Sequence, residues 1–179
     1  MPNWATGTVT VTGEKNAIAS FIGRFVSHDE QSTTPGKKYF ARSFLEDYRA
    51  NLIQEIPDPD RDGDQVTFTF PISFAWSAYS CIISGYPERF KEDCLTLSEA
   101  CVLDHVSVEI RTIEYGMCFE EEIFCSADGD LEHTSQDLRE VKCPNCGNIQ
   151  SIGSIEDPEE SYCWECGNEG MDLVETEDK

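Results

Sequence analysis

The segment that decides the fold of the first part of the chain is Thr8-Val9-Thr10-Val11-Thr12, in which hydroxyl and apolar β-branched side chains alternate. This period of two, closed by Gly13, predicts a strand with one face toward a core and the other toward solvent. Apolar residues then recur at intervals of three and four, which predicts an amphipathic helix. These residues are Ile18, Phe21, Ile22 and Phe25.

The same patterns predict more elements of both kinds further along the chain. The predicted strands cover residues 66–70, 106–110 and 119–125. Ser43 and Glu46 have the spacing of a capping box, which predicts a short helix running to about Glu55. Residues 98–104 predict one or two helical turns, and residues 114–117 predict a hairpin turn. Together these elements predict the α+β class, an antiparallel sheet with helices on one face.

Two cysteine pairs in the last third of the chain have the spacing of a metal site. Cys143 and Cys146 are separated by two residues, as are Cys163 and Cys166, and each pair is followed by Gly-Asn. Sixteen residues separate the pairs, which is typical of a zinc site. Four thiolates suit a tetrahedral Zn²⁺ and leave no open position for a catalytic water, so the predicted zinc is structural. The segment resembles a zinc ribbon.

Other uses of cysteine fit less well. A redox C-x-x-C usually stands alone beside a βαβ unit, which the pattern does not predict. An iron–sulfur site would use similar ligands, but the two-pair spacing favours zinc. The chain has nine cysteines and begins without the features of a secretion signal, so we expect a reducing cytoplasm rather than a closed disulfide set. We expect the five cysteines of the first part to be buried thiols. They are Cys81, Cys94, Cys101, Cys118 and Cys125.

The charge of the chain is strongly negative and unevenly placed. Thirty-five acidic and thirteen basic residues give a net charge of −22, of which −15 lies in residues 119–179. Such a polyanion is repelled by nucleic-acid phosphates and by anionic membranes, so neither is an expected partner. No apolar run is long enough for a membrane span. The shift in charge predicts a module boundary, with domains at residues 1–135 and 136–179.

The predicted zinc module carries an acidic surface. The segment between its cysteine pairs holds Glu156, Asp157, Glu159 and Glu160, and no Lys or Arg occurs between Cys143 and Asp178. This composition predicts a module that binds a protein with a basic surface. Trp164, inside the second pair, either packs over the metal site or is exposed as an anchor for the partner.

Several short motifs resemble the YubB-type ferredoxin-like domain, a family of small cytosolic proteins encoded mostly by phages and plasmids. The motifs are Met1-Pro2-Asn3-Trp4, the segment 7–13, Phe74-Ala75-Trp76-Ser77, Gly85-Tyr86-Pro87 and Tyr115-Gly116. The resemblance covers residues 1–135 and implies a bacterial cytoplasmic location. It supplies no catalytic residues. This chain departs from the family in having Ala5 where a cysteine is usual, and in adding the cysteine-rich module.

Weaker patterns have ordinary interpretations. Residues 58–64 begin like a calcium-binding loop, but the twelfth position is Thr69 rather than Glu, so we interpret them as an acidic turn. A Cys–His catalytic pair using His105 has no supporting motif. Lys37, Lys38, Arg42 and Arg49 form the only loose basic cluster. We expect His28 and His133 to be solvated in loops, and Trp4 and Trp76 to be in the core.

These observations favour a non-enzymatic protein-binding factor of a phage or mobile element. A rigid acidic surface can imitate the phosphate track of DNA and occupy the basic groove of a defence nuclease, such as a CRISPR effector or a restriction enzyme. The expected contact residues are Glu156, Asp157, Glu159, Glu160 and Trp164, with Asp58, Asp60, Asp62 and Asp64 as a second patch. The alternative is a nucleic-acid-associated zinc-ribbon module or a regulatory adaptor. An enzyme ranks last, since no nucleophile–base pair or open metal site is identified.

Overall fold

The alternating segment lies in a ten-residue strand, β1 (Trp4–Gly13), at the centre of the larger of two sheets. The structure is a computed structural model, and it describes residues 3–27, 38–61, 63–84 and 93–174. Val9 and Val11 are fully buried, whereas Thr10 and Thr12 point to the opposite face and bond to threonine hydroxyls on the neighbouring strand. The predicted division into an apolar and a polar face is therefore confirmed.

The remaining elements follow in chain order. Helices are α1 (Lys15–Ile22), α2 (Arg49–Glu55) and α3 (Leu97–Asp104), with a π-helical turn at Tyr79–Ile83 and a 3-10 turn at Pro158–Glu160. Strands are β2 (Val26–Ser27), β3 (Ser43–Leu45), β4 (Val66–Ala75), β5 (Ser107–Glu114), β6 (Phe119–Cys125), β7 (Leu131–Asp137), β8 (Arg139–Lys142), β9 (Ile149–Ile152) and β10 (Asp172–Leu173). The α+β class is confirmed. No helix in the described ranges is long and apolar enough to cross a membrane.

The larger sheet has seven strands in the order β2-β3-β4-β1-β5-β6-β7. The β2–β3 pair is parallel, and every other neighbouring pair is antiparallel. The buried residues of α1, α2 and α3 belong to one apolar cluster with the inner face of this sheet, so these helices cover a single face. Four phenylalanines fill the centre of that cluster: Phe21, Phe25, Phe40 and Phe70.

A buried ion pair joins the C-terminal ends of α1 and α3. The Arg24 guanidinium donates to both carboxylate oxygens of Asp104, and both side chains are about 5% exposed. Ser20 donates a further hydrogen bond to Asp104 at 2.8 Å. Arg24 also donates to the carbonyl of Lys38 at 3.1 Å, so the guanidinium links the helices to the segment that leads to β3. The pair is therefore a buried salt bridge with additional hydrogen bonds to both side chains.

The predicted helix from Ser43 is wrong at its start. Residues Ser43–Leu45 form β3, paired with β4, and the helix begins only at Arg49. Strand pairing outweighs the local capping signal because Ser43 and Leu45 are fully buried against the sheet. The capping box in the described residues is that of α3, where Thr96 accepts from the Glu99 amide and the Glu99 side chain bonds back to Thr96.

The prediction that Trp4 and Trp76 lie in the core is also wrong. Trp4 is 40% exposed and packs edge-on against Phe44, while Trp76 is 46% exposed. Both lie at one end of the β1–β4 pair, where Trp4 is opposite Ala75. Trp76 has a left-handed backbone (φ 84°) directly after the last residue of β4. The motif Gly85-Tyr86-Pro87 lies outside the described residues.

The smaller sheet has three antiparallel strands in the order β10-β8-β9 and carries the cysteine pairs. We call residues 139–174 the cysteine module. Its buried cluster comprises Val141, Cys143, Ile152, Cys163 and Met171. The boundary predicted between residues 135 and 136 lies within the span of β7, and the first strand of the smaller sheet begins at Arg139.

Candidate metal centre and the acidic groove

The two cysteine pairs form two turns of nearly identical backbone geometry. In the first, the Cys143 amide donates to the Asn148 carbonyl at 2.8 Å and the Gly147 amide donates to the Cys143 carbonyl at 2.9 Å. In the second, Cys163 donates to Asn168 and Gly167 donates to Cys163, both at 2.8 Å. Gly147 and Gly167 have φ values of +75° and +70°, a left-handed conformation that glycine adopts without steric cost. The repeated Gly after each pair therefore has a structural cause.

The four cysteine sulfurs lie close together in one cluster. Cys143 Sγ lies 3.6 Å from Cys166 Sγ, and Cys146 Sγ lies 3.6 Å from Cys163 Sγ, so each close pair joins one sulfur from each turn. All four sulfurs lie within 4.8 Å of one another. A tetrahedron with metal–sulfur bonds of about 2.3 Å has edges of about 3.8 Å, so the spacing fits a zinc ion. These four cysteines can hold a metal ion and are compatible with zinc.

Amide groups around the cluster donate to its sulfurs, and at Cys166 they favour the thiolate. The Asn168 amide, then the Asn145 side-chain amide, donate to Cys166 Sγ and lower the pKa of this thiol to about 6. Asn148, from the same first turn as Asn145, places its Nδ2 3.9 Å from Cys163 Sγ of the second turn. Amide donors to sulfur stabilise the charged ligand form and hold its orientation, as outer-shell partners do in metal sites.

The predicted partner-binding residues lie mostly around one groove. Glu156, Asp157, Glu160 and Trp164 line an open groove of about 470 Å³, while Glu159 lies on the same loop but outside the lining. Trp164 is 67% exposed, so most of its side chain is open to solvent. Its ring packs edge-to-face with Tyr115 at a centroid distance of 5.7 Å.

The sequence interpretation missed the other aromatic walls of this groove. Tyr115 comes from the turn between β5 and β6, whereas Tyr162 and Ile155 come from the cysteine module. Ile155, an exposed apolar residue among carboxylates, is a local signal that could have marked the site. Tyr115 gives no such signal, because its proximity to Trp164 depends on how the two sheets pack.

Three glutamates in the described ranges are buried, namely Glu114, Glu120 and Glu121. Glu114 accepts from the amides of Gly116 and Met117 and builds the β5–β6 turn. Glu121 accepts from the amides of Ala78 and Tyr79 at the start of the π-helical turn. Because each carboxylate binds backbone amides, a part of the net charge stabilises the fold and is not available to a partner.

Glu120 attaches the cysteine module to the seven-stranded sheet. The Ser154 amide donates to both of its carboxylate oxygens, at 3.0 and 3.1 Å, and Gln136 Nε2 donates to one of them at 2.6 Å. The residue is only 7% exposed. The groove lies at this junction, so its shape depends on the contact that Glu120 makes.

Replacing Glu120 should loosen this junction. We expect Glu120→Ala to cost about 1.5–3 kcal/mol, the usual contribution of hydrogen bonds to a charged acceptor. Hydrogen exchange of the Ser154 amide, measured by NMR, should then be roughly tenfold faster or more. Glu122→Ala is the matched control, since that side chain is half-exposed and its exchange effect should be absent. Unchanged protection of Ser154 in Glu120→Ala would contradict the assignment.

His133 is not a solvated loop residue, so that prediction is wrong. It lies on β7, 21% exposed, with Nε2 3.2 Å from Glu121 Oε1 and its ring stacked on Tyr79 at 4.9 Å. Successive residues of a strand point to opposite faces of the sheet. His133 is paired directly with the buried Ile123 and so lies on the same face of the sheet. His28 lies outside the described residues.

The weaker candidates are dispersed or already engaged. Asp58 pairs with Lys15 at 2.6 Å, and Asp62 lies outside the described residues. Arg42 and Arg49 donate to the carbonyls of Ser80 and Phe25, and Lys37 is outside the described ranges. The basic cluster is thus partly committed to holding backbone.

The thiols of the first part are buried except at one position. Cys81, Cys94, Cys101 and Cys125 are buried, as predicted, but Cys118 is exposed in the β5–β6 turn. His105 is the left-handed residue that ends α3, and within the described residues no cysteine sulfur hydrogen-bonds to it. In the same ranges, the four cysteines of the module are the one group of at least three ligand side chains close enough to share a metal.

Comparisons of the chain with protein-family models, with curated proteins and with solved structures found no match.

Proposed function

We propose that the chain is a ferredoxin-like domain followed by a structural zinc ribbon. Two observations support the first part: the strand order β3-β4-β1-β5, and the positions of α1 after β1 and α3 before β5, which together match a split βαβ arrangement. The second part is supported by two cysteine turns that supply four sulfurs. Four protein ligands complete a tetrahedron, so zinc there would fold the module rather than activate water.

We further propose that the protein is a non-enzymatic, protein-binding inhibitor. Its target would be a host defence nuclease, either a CRISPR effector or a restriction enzyme, and its origin a phage or mobile element in the bacterial cytoplasm. The YubB-type resemblance motivates that origin. The single observation that carries the proposal is the groove in which Glu156, Asp157 and Glu160 stand beside an exposed Trp164. Exposed carboxylates on a metal-braced module complement the basic cleft of a nuclease.

Direct inhibition assays test this proposal. Purified CRISPR effectors and restriction enzymes would cut a labelled DNA duplex in the presence of increasing amounts of the protein, at low and at physiological salt. We expect inhibition of a nuclease that weakens as salt rises, because screening reduces attraction between surface charges. Unimpeded cleavage at both salts across the panel would count against an inhibitor of these enzymes.

Charge reversal locates the contact surface. We expect Glu156→Lys, Asp157→Lys and Glu160→Lys together to weaken inhibition by roughly tenfold or more, since rim charges control association. The comparison variant reverses Asp58, Asp60 and Asp64, which form the described part of the second predicted patch. Equal inhibition by the groove variant and the unmodified protein would show that the groove is not the contact surface. A loss only in the comparison variant would move the contact to the second patch.

A further inference from the structure

The groove between the two sheets has aromatic walls from both parts of the chain. Tyr115 comes from the seven-stranded sheet, and Trp164 and Tyr162 come from the cysteine module. Tyr115 and Trp164 meet edge-to-face at an interplanar angle of 79°, and all three rings are about half-exposed or more. Exposed ring faces in a concave site attract cations through the negative face of the π system.

The lining of the same groove has three carboxylates and no cationic side chain among the described residues. Within the described lining, Glu156, Asp157 and Glu160 are the charged residues, and none of them forms an ion pair in the described parts of the chain. Asp157 Oδ1 accepts from the Glu159 amide at 2.9 Å, whereas the carboxylates of Glu156 and Glu160 have no hydrogen-bond donor among the described residues. Two carboxylates are therefore free to bind a cation.

Glu156 and Tyr115 are close enough to interact. Partial burial, and then the negative field of Glu156, raise the pKa of the Tyr115 hydroxyl. Both residues line the groove, so a carboxylate shares it with this ring.

The walls of the groove are held in place before any partner arrives. Gln150, which is buried, accepts from the Trp164 amide at 3.0 Å and donates to the Tyr162 carbonyl at 2.9 Å. On the other side, Arg139 donates to the carbonyls of Gly153 and Glu156. A site fixed in this way loses little conformational entropy on binding.

We propose that this groove binds an arginine side chain presented by the partner protein. The guanidinium packs in the corner that Trp164 and Tyr115 form and pairs with the carboxylates of Glu156 and Glu160. Arginine fits better than lysine because its planar group stacks on aromatic rings and donates in a fork to carboxylates. The inference rests on the proposed function, from which it takes the partner protein with a basic surface. It adds the identity of the partner side chain that enters the groove.

The test uses the full chain loaded with zinc and a capped peptide, Gly-Gly-Arg-Gly-Gly. Its binding is followed through the indole N–H signal of Trp164 in ¹⁵N NMR spectra, assigned by comparison with Trp164→Phe. We expect a saturable shift of Trp164, with Trp4 and Trp76 unchanged. A peptide with citrulline in place of arginine should bind roughly fivefold more weakly or not at all, as expected for the loss of a cation at an exposed ring.

Alternative outcomes overturn the inference. Equal binding of the citrulline peptide would show that the positive charge is not recognised. Equal or tighter binding of a lysine peptide would show that the groove does not prefer a guanidinium. A Trp164 shift that depends on protein concentration without peptide would identify a second copy of the chain as the occupant. Absence of any shift with the arginine peptide would also overturn it.

Variants separate the groove from the fold. Trp164 lies between two cysteines, so its replacement could disturb the metal site. Tyr115→Ala, and the double variant Glu156→Gln with Glu160→Gln, leave the cysteine turns untouched. Each should weaken arginine-peptide binding roughly threefold to tenfold. The matched control, Glu109→Gln with Glu122→Gln, changes two exposed carboxylates outside the groove lining and should bind normally. Normal binding by both groove variants would contradict the site.

The inference and the proposed function can fail separately. Salt-sensitive nuclease inhibition without arginine-peptide binding would remove the groove inference alone. Arginine-peptide binding without inhibition of any nuclease would leave the groove as a site for an arginine-bearing partner of another class.

Discussion

Removal of the metal is expected to unfold residues 139–174 while the seven-stranded sheet stays folded. The module has five buried residues in its own apolar cluster, and two of them, Cys143 and Cys163, are candidate ligands. So small a core contributes little stability by itself. Zinc binding to zinc-finger peptides contributes about 10–16 kcal/mol at neutral pH, so we expect a bound zinc to be the main source of folding energy here.

NMR spectra recorded before and after treatment with a strong chelator provide the measurement. Metal analysis should first give about one zinc per chain. Chelation should then collapse the dispersed amide signals of residues 139–174, leave those of β1, β4 and β5 in place, and be reversed by added zinc. Acidification should release the metal as well, because protons compete with it for the four thiolates.

The cysteine variants supply the control. Cys146→Ser should reproduce the effect of chelation, whereas Cys118→Ser changes an exposed thiol outside the cluster and should retain the metal. Dispersed module signals in the metal-free protein would overturn this prediction. So would normal folding of the module in the Cys146→Ser variant.

Loss of the buried carboxylate in Asp104→Ala should lower the free energy of unfolding of the seven-stranded sheet by about 3–5 kcal/mol, because Arg24 would remain as an uncompensated charge. Asp104 accepts from Arg24 at two oxygens and from Ser20, and all of this lies between α1 and α3. A loss of this many kcal/mol is a large fraction of the free energy of unfolding of an ordinary domain.

Denaturant unfolding followed by signals of the sheet measures the effect. The control is Lys15→Met, which breaks the pair with Asp58, whose side chain is 89% exposed. Since exposed pairs contribute about 0–1 kcal/mol, this variant should unfold almost normally. Similar, small losses in both variants would show that the Arg24–Asp104 pair is not the stabilising contact described here.

The elements that the sequence predicted correctly are those with a strong local pattern. The alternation of apolar and polar residues predicted β1, β4, β5 and β6. Three of these strands, β1, β4 and β5, extend beyond the alternating segment, because backbone hydrogen bonds to neighbouring strands continue past it. Ser43 failed as a helix start because its spacing to Glu46 is a weak local signal that strand pairing overrides. Thr96 and Glu99 have the same spacing and do cap a helix, since no strand competes for them.

The candidate site divides in the same way. Cysteine spacing and the glycine after each pair predicted the four-sulfur cluster, because each turn closes through bonds within six residues. Charge counting predicted an acidic surface but could not separate exposed carboxylates from those that bind backbone amides. Glu114, Glu120 and Glu121 are of the second kind, and only their burial shows it.

By itself, then, the sequence determined the α+β class and the four-cysteine cluster, since both depend on periodicity and short spacing that act within a few residues. The tertiary structure decided which carboxylates face solvent and where the aromatic rings meet. Tyr115 and Trp164 touch only because β6 and the cysteine module pack together through Glu120. That contact joins residues far apart in the chain, and no local pattern encodes it.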